Sequence, residues 1–248
     1  MPADRPPGAL GAARSVRTAA VWAVLHEELQ RRTGRLVVVD VGGGTGGFAV
    51  PLAELGHEVT VVDPSPDALA TLDRRAQAAD VGDRIRAVQG DVDTLLELVG
   101  PASADLVLCH SLLEVVEDPQ HTLTLLATVV RAGGCLSLLV ANRAAAVVAR
   151  ALGGHLGDAQ RALRDADGRW GEGDGDARRF DGERLTAMVT AAGLDVQGVH
   201  GVRVVADLVP GSVADGASEA LRTLELALSG RSPYREIATQ LHVLARRP

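Results

Sequence analysis

Short apolar runs alternate along this chain with segments whose apolar positions recur every three or four residues. The β-branched runs at 36–41, 57–62, 84–89, 104–109 and 135–140 read as buried strands. A strand covered on both faces carries a near-continuous apolar run rather than an alternating one. Between them, 15–33, 48–55, 67–79, 119–130 and 183–192 have the spacing of amphipathic helices. Pro66 and Pro119 suit helix starts, and Gly34 and Gly193 suit ends. Residues 142–163 read as helical, whereas 165–179 is rich in Gly, Asp and Arg without period and reads as a loop or flexible lid. A strand at 194–206 interrupted by Gly198 and Gly201, a helix at 218–228 and a last strand at 237–245 follow.

That alternation predicts an α/β fold. Its sheet would have seven strands, mostly parallel with an antiparallel terminal hairpin, and helices on both faces. Ligands in such folds lie off the carboxyl ends of the strands. Residues 1–14 are Pro/Gly/Ala-rich and expected to form a flexible N-terminus; 15–248 is expected to be a single domain with a lid or insert at about 142–180.

The first strand runs into Asp40-Val41-Gly42-Gly43-Gly44-Thr45-Gly46-Gly47. Glycines between strand and helix let backbone approach a ligand closely, with helix N-terminal amides facing it. Gly42, Gly44 and Gly47 also satisfy the dinucleotide pattern G-x-G-x-x-G, so the turn by itself leaves the ligand open. Three acids discriminate. Asp40 stands where a cationic amino-acid ligand is welcome and a pyrophosphate is repelled. Asp63 closes the second strand and suits ribose hydroxyls, which fits either cofactor. Asp91 follows the third and suits an adenine amino group, with Val92 against the ring. This trio resembles the class I S-adenosylmethionine (SAM)-dependent methyltransferase family, with the Rossmann-like fold and donor that this implies; a nicotinamide oxidoreductase or a degenerate non-binding domain is the alternative.

Composition narrows the chemistry further. All 25 basic residues of the 248 are arginine, so lysine bases and Schiff bases are excluded. The formal charge of −7 disfavours broad nucleic-acid binding while leaving room for a local arginine pocket. Aromatics are only 2%, so the core must be Ala, Val and Leu. Cys109 and Cys135 lie in apolar runs with no metal or redox spacing and read as buried hydrophobes in a reducing cytosol. With no signal segment and no apolar run of membrane length, a cytoplasmic protein without a membrane partner is expected.

Beyond the cofactor core, the chain is similar over most of its length to the bacterial tRNA 5-carboxymethoxyuridine methyltransferase family, which esterifies a carboxylate on a wobble uridine. The stretches that carry this are Val16-Arg17 with Ala20-Val21-Trp22, Asp40 to Gly44, His110-Ser111-Leu112-Leu113-Glu114 with Asp118-Pro119, Gly201-Val202-Arg203-Val204, and Ser232-Pro233-Tyr234 followed by His242-Val243-Leu244-Ala245-Arg246. The resemblance implies that Arg17, Gly42, Gly43, Asp63, Asp91, Val92 and His110 contact SAM, with Arg17 on the methionine carboxylate. Read from the residues alone, His110 is rather a strand-end histidine bonded to backbone. The family carries a basic insert after the fifth strand; the corresponding 165–176 is acidic here, which argues against tRNA.

A carboxylate acceptor is already ionised at pH 7 and needs a cation to orient it rather than a base. Arg203 and Arg143 are the candidates. Glu114 reads either as a cap or as a substrate contact, and Tyr234 either as pocket lining or as packing beneath the last strand. Three functions stay open: an O-methyltransferase acting on a carboxylate, tRNA included; a small-molecule methyltransferase of metabolism; and a SAM-binding module without catalysis. The pattern leaves the oligomeric state open.

Overall fold

A computed structural model describes residues 15–171, 174, 177–210 and 218–248; the N-terminal stretch 1–14 lies outside them. Seven strands form one sheet in the order β3-β2-β1-β4-β5-β7-β6. They are β1 (Val37–Val41), β2 (Glu58–Asp63), β3 (Ile85–Gln89), β4 (Ala104–His110), β5 (Val130–Ala141), β6 (Asp195–Val202) and β7 (Gln240–Arg246). β1 pairs in parallel with β2 and β4, and β4 with β5, whereas β7 runs antiparallel to both β5 and β6. The expected mostly parallel sheet with an antiparallel end is therefore the architecture observed.

Side-chain alternation divides the core. Val39 and Val41 of β1, with Leu136 and Leu138 of β5, face one buried cluster, while Val38, Leu106, Leu108 and Leu139 face the other. Burial on both faces is what the continuous apolar runs require. Helices cover both clusters, and several begin on side chains placed to cap them. Ser65 accepts from the Ala68 amide before α3 (Pro66–Ala78), following α1 (Ala19–Gln30) and α2 (Ala49–Glu54). Asp118 accepts from Gln120 and His121 before α5 (Pro119–Val129), which follows the short α4 (Leu95–Val99) that the sequence pattern did not reveal. Such caps satisfy amides that a helix start leaves without partners.

The differences from expectation have local causes. The segment 142–163 is two helices, α6 (Arg143–Leu152) and α7 (Leu156–Arg164), because Gly153 and Gly154 part them and Gly154 sits at φ 78°. β5 starts at Val130 rather than Cys135: Ala104 pairs Val130 and Leu106 pairs Cys135, so the Gly133-Gly134 turn is a bulge inside the strand. The final strand begins at Gln240, after a single 3₁₀ turn at Arg235–Ile237.

The most informative difference is β6, which stops at Val202 instead of continuing to Ala206. Glu225 of α9 (Ser218–Ser229), which follows α8 (Gly182–Ala191), is buried and draws the amides of Val204, Val205 and Ala206 to its carboxylate at 2.8, 2.7 and 2.6 Å. Those amides are then lost to the sheet, and Arg203 takes the left-handed conformation, φ 59°, at the corner. Among the described residues no helix is long and apolar enough to cross a membrane, and no group of three His, Cys, Asp or Glu side chains is placed to hold a metal ion.

Candidate functional site

The strand order reverses on either side of β1, with β2 to one side and β4 to the other, which opens a crevice at the carboxyl ends of these strands. The glycine turn lies there. Gly42 and Gly44 adopt φ 72° and 54°, and a Cβ on Gly43 would stand 2.6 Å from the Asp40 carboxyl and 2.9 Å from Val61. Only glycine closes this turn over Asp40. Asp63, at the end of β2, accepts from the Gly44 amide through one carboxylate oxygen and from Ser65 through the other, both at 2.9 Å. The second acid therefore also shapes the turn, a role its ribose assignment had not included.

Beside it is a cavity of about 450 Å³ lined by Val41, Gly42, Val62, Pro64, Leu112 and Val116, among others. That volume suits a nucleoside-sized ligand. Its polar wall is one-sided: Asp91, Asp93, Glu117 and Asp118 line it with His121, and no arginine does. A carboxylate-rimmed, otherwise apolar hollow next to Asp40 and Asp63 fits a cationic nucleoside and opposes a pyrophosphate. Asp91 and Val92 both line this cavity, as the sequence reading requires. Asp91 also accepts from the amide and hydroxyl of Thr94, 3.1 and 2.9 Å, and these bonds hold its carboxyl below the usual range.

Asp40 behaves differently. Burial, with the neighbouring Asp63 charge, pushes its carboxyl up to about 7. Between the ordinary value of 3.8 and that point the folded chain binds more protons than the unfolded one, so this group's contribution to stability falls as pH rises through the window. A cationic ligand brought against Asp40 would reverse the preference locally and expel the proton. Calorimetric titration at pH 7 in two buffers of different ionisation heat is expected to show net proton release on SAM binding, and Asp40→Asn to abolish it.

His110 closes β4. Its Nε2 lies 2.9 Å from the Ser137 hydroxyl, which lies 2.8 Å from His242 Nε2, and its ring edge meets Phe48 at 4.5 Å between centroids. The strand-end alternative of a backbone bond is thus replaced by a side-chain bond to Ser137. Burial takes its pKa down to about 3, so it is a neutral ring, with Nδ1 lacking a partner among the described residues. Glu114 is buried, accepts from the Ala141 amide at 2.8 Å and is pushed up by burial; it ties the loop after β4 to the end of β5. Tyr234 is 46% exposed, which excludes packing beneath the last strand.

A second cavity, about 350 Å³, lies between α6 and the ends of β5 and β7; Ala145, Ala149, Val204, Leu208 and Ile237 give it apolar walls. Asn142, Arg179, Asp207 and Thr239 supply its polar groups. Arg203 is half-buried beside it and pairs with Asp207 at 3.1 Å; burial pulls its pKa down, Asp207 opposes that, and Arg17 adds to it. Arg17, in the turn before α1 rather than on the helix, reaches the same Asp207 at 3.6 Å. The structure thus brings Arg17 and Arg203 together. It does not bring Arg143 there: its guanidinium is 2.6 Å from Asp181 and bonded to the Asp165 carbonyl, a brace for the insert. Arg179, which the sequence did not single out, lines that cavity instead, with its guanidinium paired to Asp174.

The acidic insert is also not the bare negative surface its composition suggests. Asp167 pairs with Arg178 and Arg184, and Asp174 takes a two-pronged pair with Arg179 at 2.6 and 2.7 Å. Arg179 and Arg150 sit 3.6 and 4.0 Å from the Trp170 ring centre. Residues 172, 173, 175 and 176 of this loop lie outside the described residues. Where it is described, Asp167 and Asp174 are paired with the chain's own arginines, so these two carboxylates present less free charge than the composition suggests.

Residues 39–138 match the methyltransferase domain family. A tRNA 5-carboxymethoxyuridine methyltransferase of Escherichia coli (strain K12) is 30% identical over 238 residues, covering 94% of this chain and 88% of that protein. A ubiquinone biosynthesis O-methyltransferase of Xanthomonas campestris pv. campestris (strain B100) is 34% identical over 119 residues, 47% of this chain and 48% of the relative. Among solved structures, an S-adenosylmethionine-dependent methyltransferase from Mesorhizobium loti matches with a TM-score of 0.61 at 20% identity, covering 94% of this chain and all 100% of that one. Magnesium protoporphyrin IX methyltransferase from Synechocystis, with bound S-adenosylhomocysteine (SAH), matches with a TM-score of 0.60 at 16% identity, over 94% and 82%. At such identities these structures speak for the fold.

Proposed function

The chain belongs to the tRNA 5-carboxymethoxyuridine methyltransferase family of class I SAM-dependent methyltransferases, and from that premise we propose that it esterifies a carboxylate, with the carboxymethoxyuridine of a tRNA as acceptor. SAM is its methyl donor. The observation that supports the acceptor reading is a largely apolar cavity at the carboxyl edge whose lining residue Asp207 holds both Arg203 and Arg17. An apolar chamber with guanidinium at its wall suits a flat ring bearing a carboxylate.

Asp40 and the glycine turn would hold the amino-acid end of the donor, with Arg17 on its carboxylate, Asp63 on the ribose, and Asp91 and Val92 on the adenine. Neutral His110 lies between the two cavities' strands and offers a hydrogen bond without a competing charge. When bound, the donor would supply an electrophilic methyl to the acceptor's carboxylate oxygen, the carbon–sulfur electron pair being left on sulfur as the carbon–oxygen bond forms. Arg203 orients that oxygen, and no side chain has to remove a proton. The residues of the first cavity fit such a donor because its rim is anionic and its turn admits only glycine at position 43.

Incubating the protein with methyl-labelled SAM and, separately, bulk tRNA rich in the unesterified nucleoside or a metabolite extract tests this. Label in the tRNA fraction upholds the reading. Label confined to small molecules would place the chain among methyltransferases of metabolism, and none in either, with SAM bound, among non-catalytic modules.

A further inference from the structure

Asp207 receives three groups at once. Arg203 stands 3.1 Å from one carboxylate oxygen, the Thr239 hydroxyl donates to that same oxygen at 3.0 Å, and Arg17 lies 3.6 Å from the other. The turn that presents it is built rather than incidental. Glu225 fixes Val204, Val205 and Ala206 by their amides, and the Arg203 carbonyl accepts from the Thr239 amide at 3.2 Å. Arg203 and Asp207 are thereby held four residues apart across a corner that a sheet strand would not make.

We infer that Asp207 is a resident counter-ion shared by Arg17 and Arg203, holding both guanidiniums when the site is empty and reclaiming Arg203 once the acceptor has lost its charge. The inference rests on the reading above, in which Arg17 meets the donor's carboxylate and Arg203 the acceptor's. Charge counting gives it its logic. Two carboxylates act on Arg203, but Glu225 is bound to three backbone amides, so Asp207 is the one that can exchange partners. With both ligands in place their two carboxylates satisfy both arginines, and Asp207 is displaced. Esterification turns the acceptor carboxylate into a neutral ester, so Arg203 is again without an anion in a half-buried position. Asp207, kept within reach by Thr239, supplies one and competes against the product but not for it.

Asp207→Asn tests this, since asparagine keeps the shape and the Thr239 contact while removing the charge. By calorimetry on the full chain at low salt, the variant is expected to bind SAH about two- to fivefold more tightly, in line with loss of an exposed ion pair. That gain is expected to vanish in an Arg17→Ala background. In turnover, KM for the acceptor and kcat are both expected to fall about threefold or more, because acceptor and ester alike are held without competition. Unchanged or weaker SAH binding overturns the Arg17 half, and an unchanged KM and kcat the Arg203 half. A wild-type protein that esterifies no carboxylate overturns the assignment of Arg203 to the acceptor, whereas the SAH titration still decides whether Asp207 restrains Arg17.

Discussion

Asp63→Ala is expected to weaken SAH binding by at least about a hundredfold. Two effects combine. The carboxylate is the proposed partner of the ribose hydroxyls, and hydrogen bonds to a charged group are worth about 1.5–3 kcal/mol each, so two of them amount to two or more powers of ten. Asp63 also receives the Gly44 and Ser65 amides, one on each oxygen, and the alanine would release the turn that shapes the cavity. Leaving those two amides without acceptors is expected to lower stability by about 1–3 kcal/mol, read as a shift of the urea midpoint. Asparagine is a poor rescue, because its NH₂ would have to face one of two N–H donors. Binding of SAH within threefold of wild type would falsify the placement of the ribose at the end of β2.

Arg203→Ala is expected to cut kcat/KM for the acceptor by about a hundred- to a thousandfold while changing SAH affinity by no more than about threefold. Orientation of an ionised nucleophile is most of what this reaction asks of the protein, and misplacement by about an ångström costs about a hundredfold. Arg203→Lys is expected to recover only part of this, since a point charge lacks the planar fork that matches a carboxylate. Arg143→Ala supplies the contrast. Its partner is Asp181, so its expected effect is on the anchoring of the insert and on stability, with kcat/KM affected far less than by Arg203→Ala. Equal losses of SAH and acceptor binding in Arg203→Ala would assign that guanidinium to the donor instead.

What could be read in the chain beforehand was whatever is encoded locally. Asp40 and Asp63 lie at the ends of β1 and β2, and the glycine turn and the Asp91-Val92 pair follow β1 and β3 within a few residues, so recognising the strands was enough to place them at the carboxyl edge. The run of β-branched residues before Asp40 and the proline-marked helix starts are signals of that short-range kind. Residues whose roles arise from pairing across the fold left no such mark. Glu225 clamps amides about twenty positions upstream, Ser137 joins histidines from β4 and β7, and Arg179 meets its cavity because the insert folds back on Trp170. Arg143 shows the converse. Its place just past β5 suggested the substrate mouth, but a helix start turned it into a partner for Asp181. Asp207 carried one usable hint, its position four residues after Arg203, which became meaningful only once β6 was seen to stop at Val202.

Alkaline lability of the transferred methyl group tests the central claim most directly. The protein is incubated with tRNA and SAM labelled in the methyl group, the tRNA is recovered, and mild base is applied. A carboxylate ester hydrolyses and gives up its label as volatile methanol, which is the result this account predicts. Label that stays on the nucleic acid through the same treatment would reside on nitrogen, carbon or an ether oxygen, and would contradict it.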